Sequence, residues 1–119
     1  MDREKERFYN RNIIDCISSA LIITDPMGKI TDLNIPAEKL TGYTQDELID
    51  APFQNYFVDP KKALESIVQV ITGGGCTKQK LIVRTKSGVY RIVVLNGLKV
   101  YDQQGMERCV FTAPAMTSK

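Results

Sequence analysis

"TDPMGKITDLNIPAEKLTGYTQDEL", residues 24–48, decides how the rest of the chain is read. "DPMG" (25–28) is a turn: the Asp side chain bonds its own backbone, Pro fixes φ, and Gly accepts a positive φ. The flanking segments "ALIITD" (20–25) and "KITDLN" (29–34) read as strands, and so short a link makes them an antiparallel hairpin. Asn34 then caps a helical stretch whose Pro36 falls where a missing N–H costs little. Gly42 is placed to end that stretch in a left-handed conformation. "TQDE" (44–47) is a capping box that starts a second short helix. Short helices this soon after a hairpin suggest the wall of a cavity.

Downstream, "APFQNYF" (51–57) carries Phe53, Tyr56 and Phe57 in an irregular segment. Asp59 and Pro60 open a longer helix, with Leu64, Ile67, Val68 and Ile71 as its expected buried face and "GGG" (73–75) as its stop. That glycine run lacks a phosphate-binding fingerprint. The segments 77–85, 90–101 and 107–113 read as three strands joined by tight turns, a meander. Two strands, a helical middle and three strands make an α+β domain with a five-stranded antiparallel sheet and helices across one face. Upstream, residues 3–19 read as a helix. Tyr9, Ile13, Cys16 and Ile17 form an apolar stripe that packs either on the domain or in a homodimer. The expected organisation is an N-terminal flanking helix (1–19), one domain (20–114) and a C-terminal tail or truncated linker (115–119).

Composition narrows the function. The 119 residues carry 16 Lys plus Arg against 14 Asp plus Glu, a formal charge of +2, so nucleic-acid binding is not expected. The cysteines, Cys16, Cys76 and Cys109, are sparse and odd in number, which points to a reducing, cytoplasmic setting rather than a disulfide scaffold. Residence on the cytosolic side of a larger membrane-associated signalling protein is the alternative. Histidine is absent altogether. That removes imidazole as base, metal ligand and haem ligand, and with it the usual Ser-His and Cys-His nucleophile pairs. No catalytic pair is visible, and the chain is not expected to be an enzyme.

The ordered set "ALIITDPMGKITDLN", "AEKLTGYTQDEL", the aromatic and "DP" segment before a long helix, and the closing strands resembles the PAS sensor-domain family, over roughly residues 10–114. The likeness is greatest to PAS domains of bacterial sensor histidine kinases and other multidomain signalling proteins. The resemblance implies sheet order 2-1-5-4-3 around a pocket, and a regulatory role in signal transduction. It also implies a small organic ligand, a homodimer or both, and an attached kinase or other output domain. Gly42, Tyr43 and Asn34 fall at family positions that shape the bend and the strand-to-helix junction. Haem-binding relatives use a histidine on the long helix, and this chain has none. Flavin photosensors use an Asn-Cys-Arg cysteine, where this chain reads "FQNYFVDP". Histidine-ligated haem and cysteinyl-flavin photochemistry are therefore disfavoured, and the cofactor is left open. The family's closing Asp-Ile-Thr is replaced by "APAMTSK" (113–119).

Alternation along "RIVVLNGLKV" (91–100) groups Ile92, Val94, Asn96, Leu98 and Val100 on the more apolar face, with Arg91, Val93, Leu95, Gly97 and Lys99 on the other. The first group is expected to face the interior. The candidate ligand site is thus Asn96 as the polar contact, Tyr56 as a second, and Phe57, Ile92 and Val94 as walls. Two other functions stay in view: a ligand-free dimerisation module, and a small enzyme on a similar curved sheet.

Overall fold

The asparagine that ends the first hairpin organises the chain around it in a computed structural model, which describes residue 14 and residues 16–114. Strand β1 (Ala20–Thr24) pairs antiparallel with β2 (Ile30–Leu33), with a register shift at Ile23/Thr24. Asp25 Oδ1 accepts the N–H groups of Met27 and Lys29, both at 2.9 Å, and Gly28 takes φ 95°. The carboxylate therefore holds the turn as the "DPMG" chemistry requires.

Helix α1 (Ile35–Thr41) begins at Asn34, whose side chain accepts the Ala37 N–H, and stops at Gly42 with φ 80°. Helix α2 (Gln45–Leu48) opens with the capping box, Thr44 and Glu47 each receiving the other's backbone N–H. The chain then returns along β2. Ile30 donates to the Ala51 carbonyl at 2.9 Å, and Asp50 donates to that of Ile30 at 2.8 Å. A 3₁₀ turn (Phe53–Tyr56) leads to α3 (Pro60–Gly73), capped by Asp59 and closed by Gly74 at φ 90°. Strands β3 (Gly75–Arg84), β4 (Tyr90–Tyr101) and β5 (Glu107–Ala113) complete an antiparallel sheet in the order β2-β1-β5-β4-β3. The expected topology is the observed one.

The core lies between the inner face of the sheet and the helices. Phe53 stacks on Phe111 with ring centroids 4.7 Å apart and tilts against Phe57 at 4.9 Å. Gly97 is essential to this packing: a Cβ there would meet Val70 Cγ2 at 2.7 Å and Phe111 Cε1 at 2.9 Å. The buried face of helix α3 is rotated from the expected one: Ile67 is buried and Ile71 packs against the core as expected, but Leu64 and Val68 are exposed. Ala63, Ser66 and Val70 are also buried. The small residues Ala63 and Ser66 let the helix approach closely, which a reading by hydrophobicity alone passes over.

A smaller cluster sits on the opposite side of the sheet, where Ile14 and half-buried Ile17 pack with Leu21, Ile23 and Val110. This shifts the expected N-terminal stripe. Ile14, not chosen from sequence, is buried, and Cys16 is exposed. Tyr9, Ile13 and the helix expected to hold them lie outside the described residues.

Candidate functional site

Between the inner sheet face and the short helices lies an apolar cavity. Its sheet side is Ile22, Val83, Val93, Leu95 and Phe111, and its helical side includes Leu40, Leu48, Phe53, Tyr56 and Phe57. The space open to the centre of a water-sized sphere is about 20 Å³. A single water needs about 10–15 Å³ by that measure, so an organic molecule enters only if a wall moves. Polar capacity on the wall is small. Thr41 spends its hydroxyl on the Ala37 carbonyl at 3.0 Å and on the Tyr43 N–H at 3.2 Å. The Tyr56 phenol is raised above its usual range by burial, and further by Tyr43 and Glu47, so it stays protonated. Among the described residues one buried side-chain atom lacks a hydrogen-bond partner, Gln54 Oε1, which would lie 3.1 Å from a Cβ built on Gly28.

The wall that carries Tyr56 is clasped to the β3–β4 turn. Lys86 donates its backbone N–H to the Thr41 carbonyl at 2.9 Å, pairs through Nζ with Glu47, and sits 5.9 Å above the Tyr43 ring. Tyr43 meets Tyr56 edge to face at 5.0 Å. The hydrogen bond to Lys86 holds the Glu47 carboxyl below its usual range, and the same bond holds the ammonium above its own.

The structure divides the residues expected to form one site. Tyr56 and Phe57 line the cavity. Ile92, Val94 and Asn96 do not: they stand on the outer face of β4, and Ile92 is 56% exposed. Asn96 Oδ1 instead accepts the N–H of Lys78 at 3.0 Å, where β3 bulges and Lys78 takes φ 51°. The inner residues of β4 are Val93, Leu95 and Gly97. The expectation fails because both faces of β4 are apolar, so alternation fixes the period and not the side. The discriminating signal was Gly97, which a close-packed inner face demands and an outer face does not. Among the described residues no three His, Cys, Asp or Glu side chains are grouped to hold a metal. No cysteine lines the cavity; Cys76 and Cys109 are buried beside it, and burial raises both thiols.

A hairpin, a run of short helices, one longer helix and a three-strand meander around an apolar cavity define a class of small α+β domain with its helices on one face of an antiparallel sheet. The family described as PAS fold matches residues 9–113, and the chain belongs to it. It is 31% identical over 90 residues to the probable diguanylate cyclase DgcE of Escherichia coli (strain K12). That match covers 72% of this chain but spans only 8% of the length of that protein. A PAS domain from Colwellia psychrerythraea superposes with a TM-score of 0.74 at 22% identity, covering 91% of this chain and 94% of that one. A domain of a sensor histidine kinase/response regulator from Geobacter sulfurreducens gives 0.70 at 22% identity, covering 87% and 89%. These structures share the fold. PAS domains are generally regulatory sensor modules of signal transduction, and this chain is a PAS domain. No helix among the described residues is long and apolar enough to cross a membrane.

Proposed function

We propose that the chain is a regulatory module that works as a homodimer, with the outer face of its sheet as the interface, and that the state of this interface sets the activity of an attached output domain. The observation that carries the reading is an open, largely apolar surface, interrupted by Lys80, Arg84 and Asn96. Ile82, Tyr90, Ile92, Val94 and Leu98 are all exposed on the outer side of β3 and β4. This surface continues onto Leu21, Ile23 and Val110, which Ile14 and Ile17 already cover. Exposed contiguous apolar patches on soluble domains mark contact surfaces, and a surface self-complementary about a two-fold axis needs only a second copy of the same chain. A cyclase or a kinase is the output domain that the similar proteins suggest.

Sedimentation velocity of the 119-residue chain tests this. The expected result is reversible dimerisation in the range of roughly 10–100 μM, typical of a weak interface. Ile92→Glu and Leu98→Glu should give monomers with unchanged circular dichroism. A monomer throughout that range, or a dimer indifferent to both substitutions, overturns the proposal.

The alternative is a small apolar ligand in the central cavity. It is favoured by the apolar wall and by Tyr56, a half-buried wall residue that packs on the core and meets Tyr43 edge to face. Native mass spectrometry with an absorption spectrum would show it as a reproducible added mass released on denaturation. Asn96→Ala should leave such binding unchanged, and Tyr56→Ala should alter it.

A further inference from the structure

A second cleft, of about 340 Å³, opens at the end of the sheet where β1 and β4 begin and β5 ends. Ala20, Ile35, Pro36, Leu40 and Pro114 form its apolar floor. Its polar residues are Ser18, Lys39 and Arg91, and among the described residues no carboxylate lines it. Neither cation has an ion-pair partner among the described residues, a state they share with Lys61, Lys62, Lys78, Lys80 and Arg84, so it is their place beside the apolar floor that sets them apart. Ile35, 56% exposed, adds open apolar area to the floor of the cleft.

The size falls in the range of small-molecule sites, about 300–1,000 Å³, and an apolar floor with a few convergent polar groups is their usual make-up. The sign of the charge selects the ligand. Two unpaired cations and a hydroxyl donor suit an anion, and a guanidinium matches a carboxylate in a two-point contact. The floor requires the rest of the ligand to be apolar.

We propose that this cleft binds a small amphiphilic carboxylate, its charged group between Lys39 and Arg91 and its apolar body on Ile35, Pro36 and Leu40. The site needs neither the sheet-face dimer nor occupancy of the central cavity. It is joined to that cavity by Ala20 and Leu40, which line both. A bound molecule that presses on Leu40 therefore reaches the wall carrying Tyr56. Pro114 lies on the same floor, directly after β5, so occupancy also reaches the point where the chain leaves the sheet.

Titration of the ¹⁵N-labelled full chain with sodium hexanoate, 1-hexanol and hexylammonium chloride tests the assignment. Hexanoate should shift the amides of Lys39, Leu40, Arg91 and Ala113 in a saturable way. Hexanol and hexylammonium should bind about tenfold more weakly or not at all, since each lacks the two charge contacts. The double substitution Lys39→Gln/Arg91→Gln should weaken hexanoate by about tenfold as well and leave hexanol unchanged. Both side chains are exposed, so the fold should tolerate their loss. Should the variant fail to fold, the comparison of the three probes on the unaltered chain still decides. Equal affinity for hexanoate and hexanol, shifts confined to residues away from the cleft, absence of saturable shifts, or hexanoate binding that survives the double substitution would each overturn the proposal.

Discussion

Asn34 Oδ1 accepts the backbone N–H of Leu21 at 2.9 Å, across 13 positions of sequence, while the same oxygen caps α1 through Ala37 at 3.1 Å. Its Nδ2 donates to the carbonyls of Ser19 at 2.9 Å and Ile17 at 3.2 Å. One buried amide thus binds the entry to β1, the exit from β2 and the start of α1. Asn34→Ala should destabilise the fold by about 2–4 kcal/mol, combining a lost cap with buried backbone groups left unpaired. Urea denaturation checks this. Asn34→Asp should also be destabilising, because a carboxylate cannot donate to Ser19 and Ile17. A loss below about 0.5 kcal/mol for the alanine variant would mean that water replaces the amide.

Such local chemistry is the part of the fold most legible in the sequence. Asn34, Gly42, the Thr44–Glu47 box and Asp59 each act within a few residues of where they stand, so their patterns carry over directly to the structure. The sheet order followed from the family resemblance and not from the strands themselves. The site was less legible, because it depends on which side of β4 the helices cover. Ile92, Val94 and Leu98 look like core by composition, yet they form the open face. The second cleft had no local signature: Lys39 and Arg91 are 52 positions apart and meet only through the fold.

Gly97→Ala should be costly despite its small size. The added carbon would stand 2.7 Å from Val70 Cγ2 and 3.0 Å from Cys76 Sγ, so α3 must retreat from the sheet. Overpacking of this kind costs about 1–3 kcal/mol, read as a lower denaturation midpoint at constant slope. Val70→Ala in the same chain should recover part of the loss, and a double-mutant cycle would measure that coupling.

The three cysteines should separate by accessibility. Cys16 is exposed, while Cys76 and Cys109 are buried with thiols raised chiefly by burial. Iodoacetamide at neutral pH should alkylate Cys16 first, with the other two reacting only as the protein opens. Linkage gives a further consequence. A thiol raised in the folded state holds its proton more tightly there than in the unfolded chain. The associated stability is intact below the ordinary thiol value of 9.0 and is lost as pH climbs through the folded value. Stability should therefore decline above pH 9 in the parent protein, and less steeply in Cys109→Ala when each is compared with its own value at pH 7. Modification of Cys109 before Cys16 would contradict the burial described.

The clasp between Lys86 and Glu47 predicts a response at the opposite end of the pH scale. The Glu47 carboxyl is held low in the folded state, first by its bond to Lys86 and then by the Thr44 backbone. Its contribution is present above the unfolded value of 4.5 and is lost as pH falls through the folded one. Glu47→Gln should flatten the acid limb of the stability profile and loosen the segment carrying Tyr43 and Tyr56. Faster amide exchange at Tyr43 and Lys86, with β4 and β5 unaffected, would report that loosening. Uniform exchange changes throughout the sheet would instead mean that the clasp supports the whole domain.

Leu95 and Leu98 provide the sharpest test of which face of β4 is inside. They have the same chemistry and stand three positions apart on one strand. Leu95 is buried against the cavity, while Leu98 is 59% exposed. Leu95→Ala removes packed carbons that the surroundings replace only in part, and should cost about 2–5 kcal/mol. Leu98→Ala should change monomer stability by no more than about 0.5 kcal/mol, since its side chain is mostly in water already. If the outer face is the dimer interface, Leu98→Ala should still weaken association, so stability must be compared at a concentration where both chains are monomeric. Leu95→Ala should have the further effect of enlarging the central cavity, and small apolar molecules such as benzene would then stabilise the variant more than the parent. Equal losses for the two substitutions, or a larger one for Leu98, would reverse the assignment of faces and return Ile92, Val94 and Asn96 to the interior.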